Sequence, residues 1–238
     1  NTYPAKPLRY VVAFPAGGTT DLLARMIGQK LTESWGQPVV IDNRAGAAGT
    51  VGSDVAAKSP PDGYTLLMAT TSTHALGPAI RKMPYTAADF TPVTLVSTFP
   101  NMLVIHPSLP ARNIAEFIAL LKANPGKYHF GSSGNGSSIH LNAELFMQMT
   151  GTKMNHVPYK GSSQALTDLV AGNVQVAFDN MATVWPQARS GKLRALGVTT
   201  LQRMPVAPDV PAIAETLKDF EAIIWIGFMG PAGLPADI

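Results

Sequence analysis

Cysteine is absent from this chain of 238 residues. That one absence excludes a disulfide scaffold, a thiol nucleophile, a thiolate-bound zinc and a cysteine-ligated iron–sulfur cluster. Charge is also scarce: Asp, Glu, Lys and Arg make up 14%, against about 25% in ordinary soluble domains. With an apolar share of 46%, this is not the high-charge, low-hydrophobicity pattern of a disordered chain. The net charge of +3 is spread thinly, with Arg81-Lys82 the only adjacent basic pair. No basic stripe and no RNA-binding aromatic motif exists, so nucleic acid is not an expected partner. No apolar run approaches the ~20 residues of a membrane span. The chain begins Asn-Thr-Tyr-Pro, without a leader pattern; either it is not exported or a leader has been removed.

Catalytic signatures are missing too. No loop fits G-x-x-x-x-G-K-[ST] or G-x-G-x-x-G, and no G-x-S-x-G elbow occurs. The histidines (His74, His106, His129, His140 and His156) have no metal-site spacing, so no metal is expected. The carboxylates form no acid–base pair, and no cofactor is expected.

What the sequence has is glycine, proline and a repeating grammar. Leu8–Phe14 reads as a buried strand. Leu22, Leu23, Met26, Ile27, Leu31 and Trp35 fall on one face of a helix that opens at Thr19 or Thr20 and stops at Gly36. Strands at Val39–Asp42 and Tyr64–Ala69 flank a helix at Gly52–Lys58. The order strand–helix–strand–helix–strand implies a parallel sheet covered by helices. The pattern resumes with strands at Met102–Ile105, Tyr128–Gly131, Asn155–Val157, Val174–Phe178 and Leu193–Thr199. Helices are expected at Ile114–Ala123, Ile139–Met149, Ser163–Ala171 and Thr183–Arg189. Phe90–Phe99 and Ile223–Met229 read as strands passing between two groups. The expectation is an α/β chain of two lobes, 1–98 plus 227–238 and 99–226.

Ligands of open parallel sheets gather at the loops beyond the carboxyl ends of the strands. Four such loops have unusual composition. In Phe14-Pro15-Ala16-Gly17-Gly18-Thr19-Thr20-Asp21, consecutive glycines can turn amides inward just where a helix begins, which suits a carboxylate or phosphate. Asp21 is equally suited to complement its helix end. Ala69-Thr70-Thr71-Ser72-Thr73-His74 offers adjacent hydroxyls, which both donate and accept, and reads equally as a helix cap with its flanking turn. Gly131–Ser138 is rich in glycine and serine and leads to His140. Val157–Ser162 carries Tyr159 and Lys160, with Asp179 downstream. Lys160 is just as readily a solvated loop residue. Anion-cradling loops without catalytic machinery point to a binder.

Several of these strings resemble the Bug family of periplasmic solute receptors, which serve bacterial tripartite tricarboxylate transporters. The resemblance is carried by Ala13–Asp21 with Ala24-Arg25, Val39–Gly49 with Gly52, and Pro60–Leu67. It continues in Gly131–Leu141, Val157–Gly161, Leu169–Gly172, Leu193–Val198 and Val210-Pro211, so it covers essentially the whole chain. It implies a two-lobed Venus-flytrap fold, type II-like, with two crossing strands as hinge. The implied activity is capture of a small aliphatic or aromatic mono- or dicarboxylate between the lobes, partly through ordered waters, without reaction. Its partners would be the transporter's membrane components, and the receptor would be a periplasmic monomer. Carried onto matching positions, the ligand residues would be Phe14, Ala16, Gly17, Gly18, Thr19, Asp21, Thr71 and Ser72 in the first lobe. The second lobe would offer Ser133, Asn135, His140, Tyr159, Lys160 and Asp179. Family members continue past Gly230–Ala236 with helices that pack on the first lobe; this sequence stops at Ile238, through omission or truncation. The competing reading is a hydrolase or transferase with Ser133 or Ser72 as nucleophile, His140 or His74 as base and Asp179 orienting the imidazole.

Overall fold

The computed structural model describes residues 3–235. The chain runs β1 (Leu8–Val12), α1 (Thr19–Trp35), β2 (Val39–Asn43), α2 (Thr50–Ala57), β3 (Thr65–Thr70), α3 (Gly77–Ile80) and β4 (Phe90–Ile105). It continues through α4 (Ile114–Ala123), β5 (His129–Ser132), α5 (Ser138–Thr150), β6 (Asn155–Pro158), α6 (Ser162–Ala171), β7 (Val176–Asn180), α7 (Met181–Arg189), β8 (Arg194–Val198) and β9 (Ile223–Pro231). Two compact units result: Asn1–Thr98 with Trp225–Ile238, and Phe99–Ile224. The return to the first unit therefore falls at Trp225, two residues before the boundary read from sequence.

In unit 1, β1 lies parallel between β2 and β3, with Val11 opposite both Asp42 and Leu67. β9 adds to β3 antiparallel, Ala69 facing Gly227, and the first half of β4 follows β9. Val11, Leu67 and Ala69 pack with Ala56 of α2 and with Tyr85 and Phe90. α1 ends where Gly36 takes a left-handed φ of 68° and returns its N–H to the Thr32 carbonyl, the usual glycine stop. α2 can approach β1 only because residue 52 has no side chain: a Cβ there would sit 2.6 Å from Ala13 Cα and 2.8 Å from the Arg44 carbonyl oxygen. Along the outer side of α1, Ile27, Leu31 and Trp35 line an open apolar groove of about 900 Å³ with Pro92, Leu95 and Phe228.

In unit 2, β5 lies parallel between β6 and β7, while β4 runs antiparallel to β7 on one side and β8 on the other. Alternation along β4 sends Leu103 and Ile105 to one face, where they join Phe117, Phe130, Phe146 and Phe178. Met102 and Val104 go to the other, with Leu169, Val184 and Val198. Burying each such side chain contributes roughly 1.5–3 kcal/mol, so both faces of this sheet are anchored.

The expected α/β architecture stands, with two differences in detail. The strands expected at Phe90–Phe99 and Met102–Ile105 are one continuous strand, β4. Pro100 stands just before the β7 register begins at Asn101, a place where its missing N–H interrupts no pairing with β7. The second difference is Ser72–Ile80, for which the sequence reading gives a hydroxyl-rich loop or helix cap but no helix. It forms a wide π-type turn that runs into the single turn of α3.

Candidate functional site

The glycine pair expected to cradle an anion closes β1 and opens α1. Gly17 has φ 84°, a left-handed conformation that glycine adopts without strain. Gly18 is the extended residue before the helix, and Leu22 is the first amide to donate back, to the Gly18 carbonyl at 3.0 Å. The amides of the first turn therefore lack intrahelical carbonyls and carry the positive end of the helix dipole. Thr19, 4% exposed, places its hydroxyl oxygen in this turn without a hydrogen-bond partner among the described residues. Phe14 is buried beneath the loop, and Ala16 and Gly17 are exposed.

Asp21 serves the loop itself. Its Oδ2 accepts the Gly17 N–H at 3.0 Å and the Arg25 Nε–H at 2.9 Å. Its Oδ1 accepts from Asn43 Nδ2, which also donates to the Phe14 carbonyl. Burial works to raise this carboxyl, but the hydrogen bonds from Arg25, Gly17 and Asn43 hold it below the ordinary aspartate range. One consequence is that the Gly17 amide is committed to Asp21. Another is that Arg25 neutralises a buried negative charge beside the turn.

β1 and β3 are parallel neighbours, so Thr71 and Ser72 emerge at the same end of the sheet as this loop. The Thr71 hydroxyl accepts the Trp225 N–H at 2.8 Å and donates to the Trp225 carbonyl at 3.3 Å, which ties the loop to β9. Thr73 Oγ1 accepts the Thr70 amide and lies 2.8 Å from His74 Nδ1. His74 stacks on Tyr85 and meets Phe90 edge-on at 4.6 Å. Burial lowers its pKa to about 4, so the ring is neutral at physiological pH.

In unit 2, the expected residues all lie at the carboxyl ends of three adjacent parallel strands: Ser133, Asn135 and His140 after β5, Tyr159 and Lys160 after β6, and Asp179 at the end of β7. Ser133 is buried, Asn135 and Lys160 are exposed, and His140 is half-buried. The Tyr159 hydroxyl donates to Asp168 at 2.6 Å, and its pKa rises to about 12 through burial and that carboxylate. Tyr159 can therefore offer a ligand its ring but not its hydroxyl proton. Asp179 is enclosed and accepts the Asn180 N–H at 2.6 Å. Burial pushes its carboxyl up to about 7.

The trio Ser133–His140–Asp179 does not assemble. His140 Nδ1 accepts the Gly136 N–H at 3.1 Å, and its Nε2 faces Glu144 at 3.4 Å. The serine of this loop that meets an imidazole, among the described residues, is Ser132, 2.6 Å from His156 Nε2, and it is fully buried. Sequence reasoning named neither Ser132 nor His156 as a site residue, because their contact spans 24 positions and no local pattern joins them. It also passed over Asn101, fully buried on β4 opposite Asn180, whose side-chain amide N and O have no partner among the described residues. Among the described residues, no group of three or more His, Asp or Glu could hold a metal ion. No helix among them is long and apolar enough to cross a membrane.

Comparison with known proteins is consistent with this arrangement. Residues 23–238 match the model of the tripartite tricarboxylate transporter family receptor, TctC. BugT of Bordetella pertussis is 43% identical over 237 residues, which is 98% of this chain and 73% of that protein. Among solved structures, R. palustris Rpa4515 with adipate is 40% identical and superposes with a TM-score of 0.96, over 99% of this chain and 80% of that one. MatC (Rpa3494) from Rhodopseudomonas palustris with bound malate is 32% identical, with a TM-score of 0.94 over 99% and 81%.

Proposed function

Because the chain belongs to the tripartite tricarboxylate transporter receptor family, we propose that it is a periplasmic receptor that captures a small carboxylate and passes it to the membrane components of such a transporter. The receptor works as a monomer, catalyses no reaction and needs no cofactor. The observation that carries this reading is the buried hydroxyl of Thr19, without a partner among the described residues, at the open end of a 17-residue helix. A polar atom left without a partner away from water costs roughly 1–3 kcal/mol, and a carboxylate oxygen is the partner that would relieve it. The surrounding turn has first-turn amides to donate and a charge already balanced by Arg25. Hydrogen bonds to a charged group contribute roughly 1.5–3 kcal/mol each, and a helix end about 0.3–2 kcal/mol. A few of these reach micromolar affinity, about −8 kcal/mol. The adipate and malate held by two relatives are dicarboxylates of the kind such a turn would hold by one end.

A thermal-shift series over aliphatic, aromatic and amino-acid carboxylates identifies the ligand, because binding to the native form alone raises Tm. Calorimetry with the acid giving the largest shift then tests the cradle. Thr19→Val should weaken binding about 10–100-fold, the loss of one charged hydrogen bond, with Tm unchanged or slightly raised. Gly17→Leu, strained at φ 84° and bulky in the turn, should abolish binding while the fold survives. Unchanged affinity in both variants would remove the cradle from this protein.

A further inference from the structure

The Gly131–Ser138 loop hangs from two imidazoles in a way that the receptor reading does not require. Ser132 Oγ lies 2.6 Å from His156 Nε2 and accepts the Gly134 N–H at 3.1 Å. Four residues further on, the Gly136 N–H reaches His140 Nδ1 at 3.1 Å. The two rings stack on each other, with centroids 4.0 Å apart and planes 22° apart, and Phe130 of β5 lies beside both, 4.8 Å from His156 and 6.1 Å from His140. β5, β6 and α5 thus each contribute one ring to a three-ring cluster, and the loop is tethered to two of the three.

We propose that His140 and His156 are positioning residues, a stacked imidazole latch that fixes the 132–138 loop, and that protonation of His140 releases it. The proton inventory makes the latch one-sided. A backbone N–H can only donate, so the Gly136 bond requires a bare Nδ1 and places the neutral ring's proton on Nε2, toward Glu144. A second proton on the ring must go to Nδ1, where it meets the Gly136 N–H head-on and ends that bond. His156 differs: its Nε2 lies against a hydroxyl, which can donate or accept, so the Ser132 contact survives either state. The stack adds a second constraint, because two imidazolium rings 4.0 Å apart repel. The ionisable groups acting on the rings, among the described residues, are each other and Glu144 of α5. Burial disfavours charge on both rings, while Glu144 favours it on His140 alone, so His140 protonates first.

The latch belongs to unit 2 and is testable without ligand; only its consequence for affinity rests on the receptor reading. Hydrogen exchange of peptides spanning 131–141, expressed as protection factors to remove the intrinsic pH effect, is followed from pH 8 to pH 4.5. The loop should lose about tenfold in protection across the acid limb while β7 peptides hold theirs. His140→Phe, which keeps the stack and deletes the acceptor, should be unprotected at every pH. Glu144→Gln, on the outer side of α5, should move the acid midpoint to lower pH without changing the plateau. A flat profile in the wild type, or an unmoved midpoint in Glu144→Gln, overturns the latch. Calorimetry with adipate and malate at pH 7.5 separates the two readings. Binding with a pH-invariant loop leaves the receptor and removes the latch; a pH-sensitive loop with no carboxylate binding does the reverse.

Discussion

Asp21 and Asp179 show how differently one residue type is used at the ends of these strands. Asp21 collects three donors and stays ionised, so it holds the turn in which it stands. Asp179 has one backbone donor in an enclosed site, and its carboxyl is raised to about 7 from 3.8. The sign of the stability effect follows from linkage. Between about pH 4 and pH 7 the folded chain keeps a proton that the unfolded chain has lost, so stability falls as pH rises through that window and levels off above it. Asp179→Asn removes the titration. Thermal melts should show no difference from wild type at pH 4 and a higher Tm for the variant at pH 8, by about 2–4 °C for each kcal/mol relieved. A variant that melts lower at pH 8 would mean that the ionised carboxylate has partners in the fold.

Among the elements, most of the order was legible. Apolar spacing of three and four placed α1 within a residue of its observed start, and Gly36 marked its end because few other residues take that left-handed turn readily. The glycine-rich run at 45–52 was legible as a turn and a helix start, but the reason for Gly52 was not. That reason is the approach of α2 to β1, which exists only once they pack. Gly52→Ala should therefore cost about 1–3 kcal/mol through overpacking, seen in urea as a lower midpoint at unchanged slope. A neutral result would mean that α2 moves away at no expense. The π-type turn after β3 was illegible for a related reason. Thr71 is held by the backbone of Trp225, 154 positions away, and Tyr85 donates to the Thr73 carbonyl; no local propensity encodes either bond.

At the scale of the whole molecule, the sparse and scattered charge gives little long-range field, so the proposed capture of a carboxylate would rest on close hydrogen bonds. The apolar groove along α1, with Leu95 62% exposed, is larger than scattered surface hydrophobes require. ANS fluorescence should rise several-fold on adding native protein, and Leu95→Glu should reduce that rise by more than half. No enhancement would mean that the groove is covered in solution.

The sequence by itself determined the succession of strands and helices, the placing of glycine and hydroxyl at the carboxyl ends of parallel strands, and the family. These are written in periodicity and in backbone conformations that particular residues favour, both of which act over a few neighbours. Only the tertiary structure decided which polar groups at those strand ends are already engaged. Asp21 with Asn43, Thr71 with Trp225, Ser132 with His156 and Tyr159 with Asp168 are pairings across the fold. A hydrogen bond needs its two atoms within about 3 Å, and that proximity is a property of the packed chain.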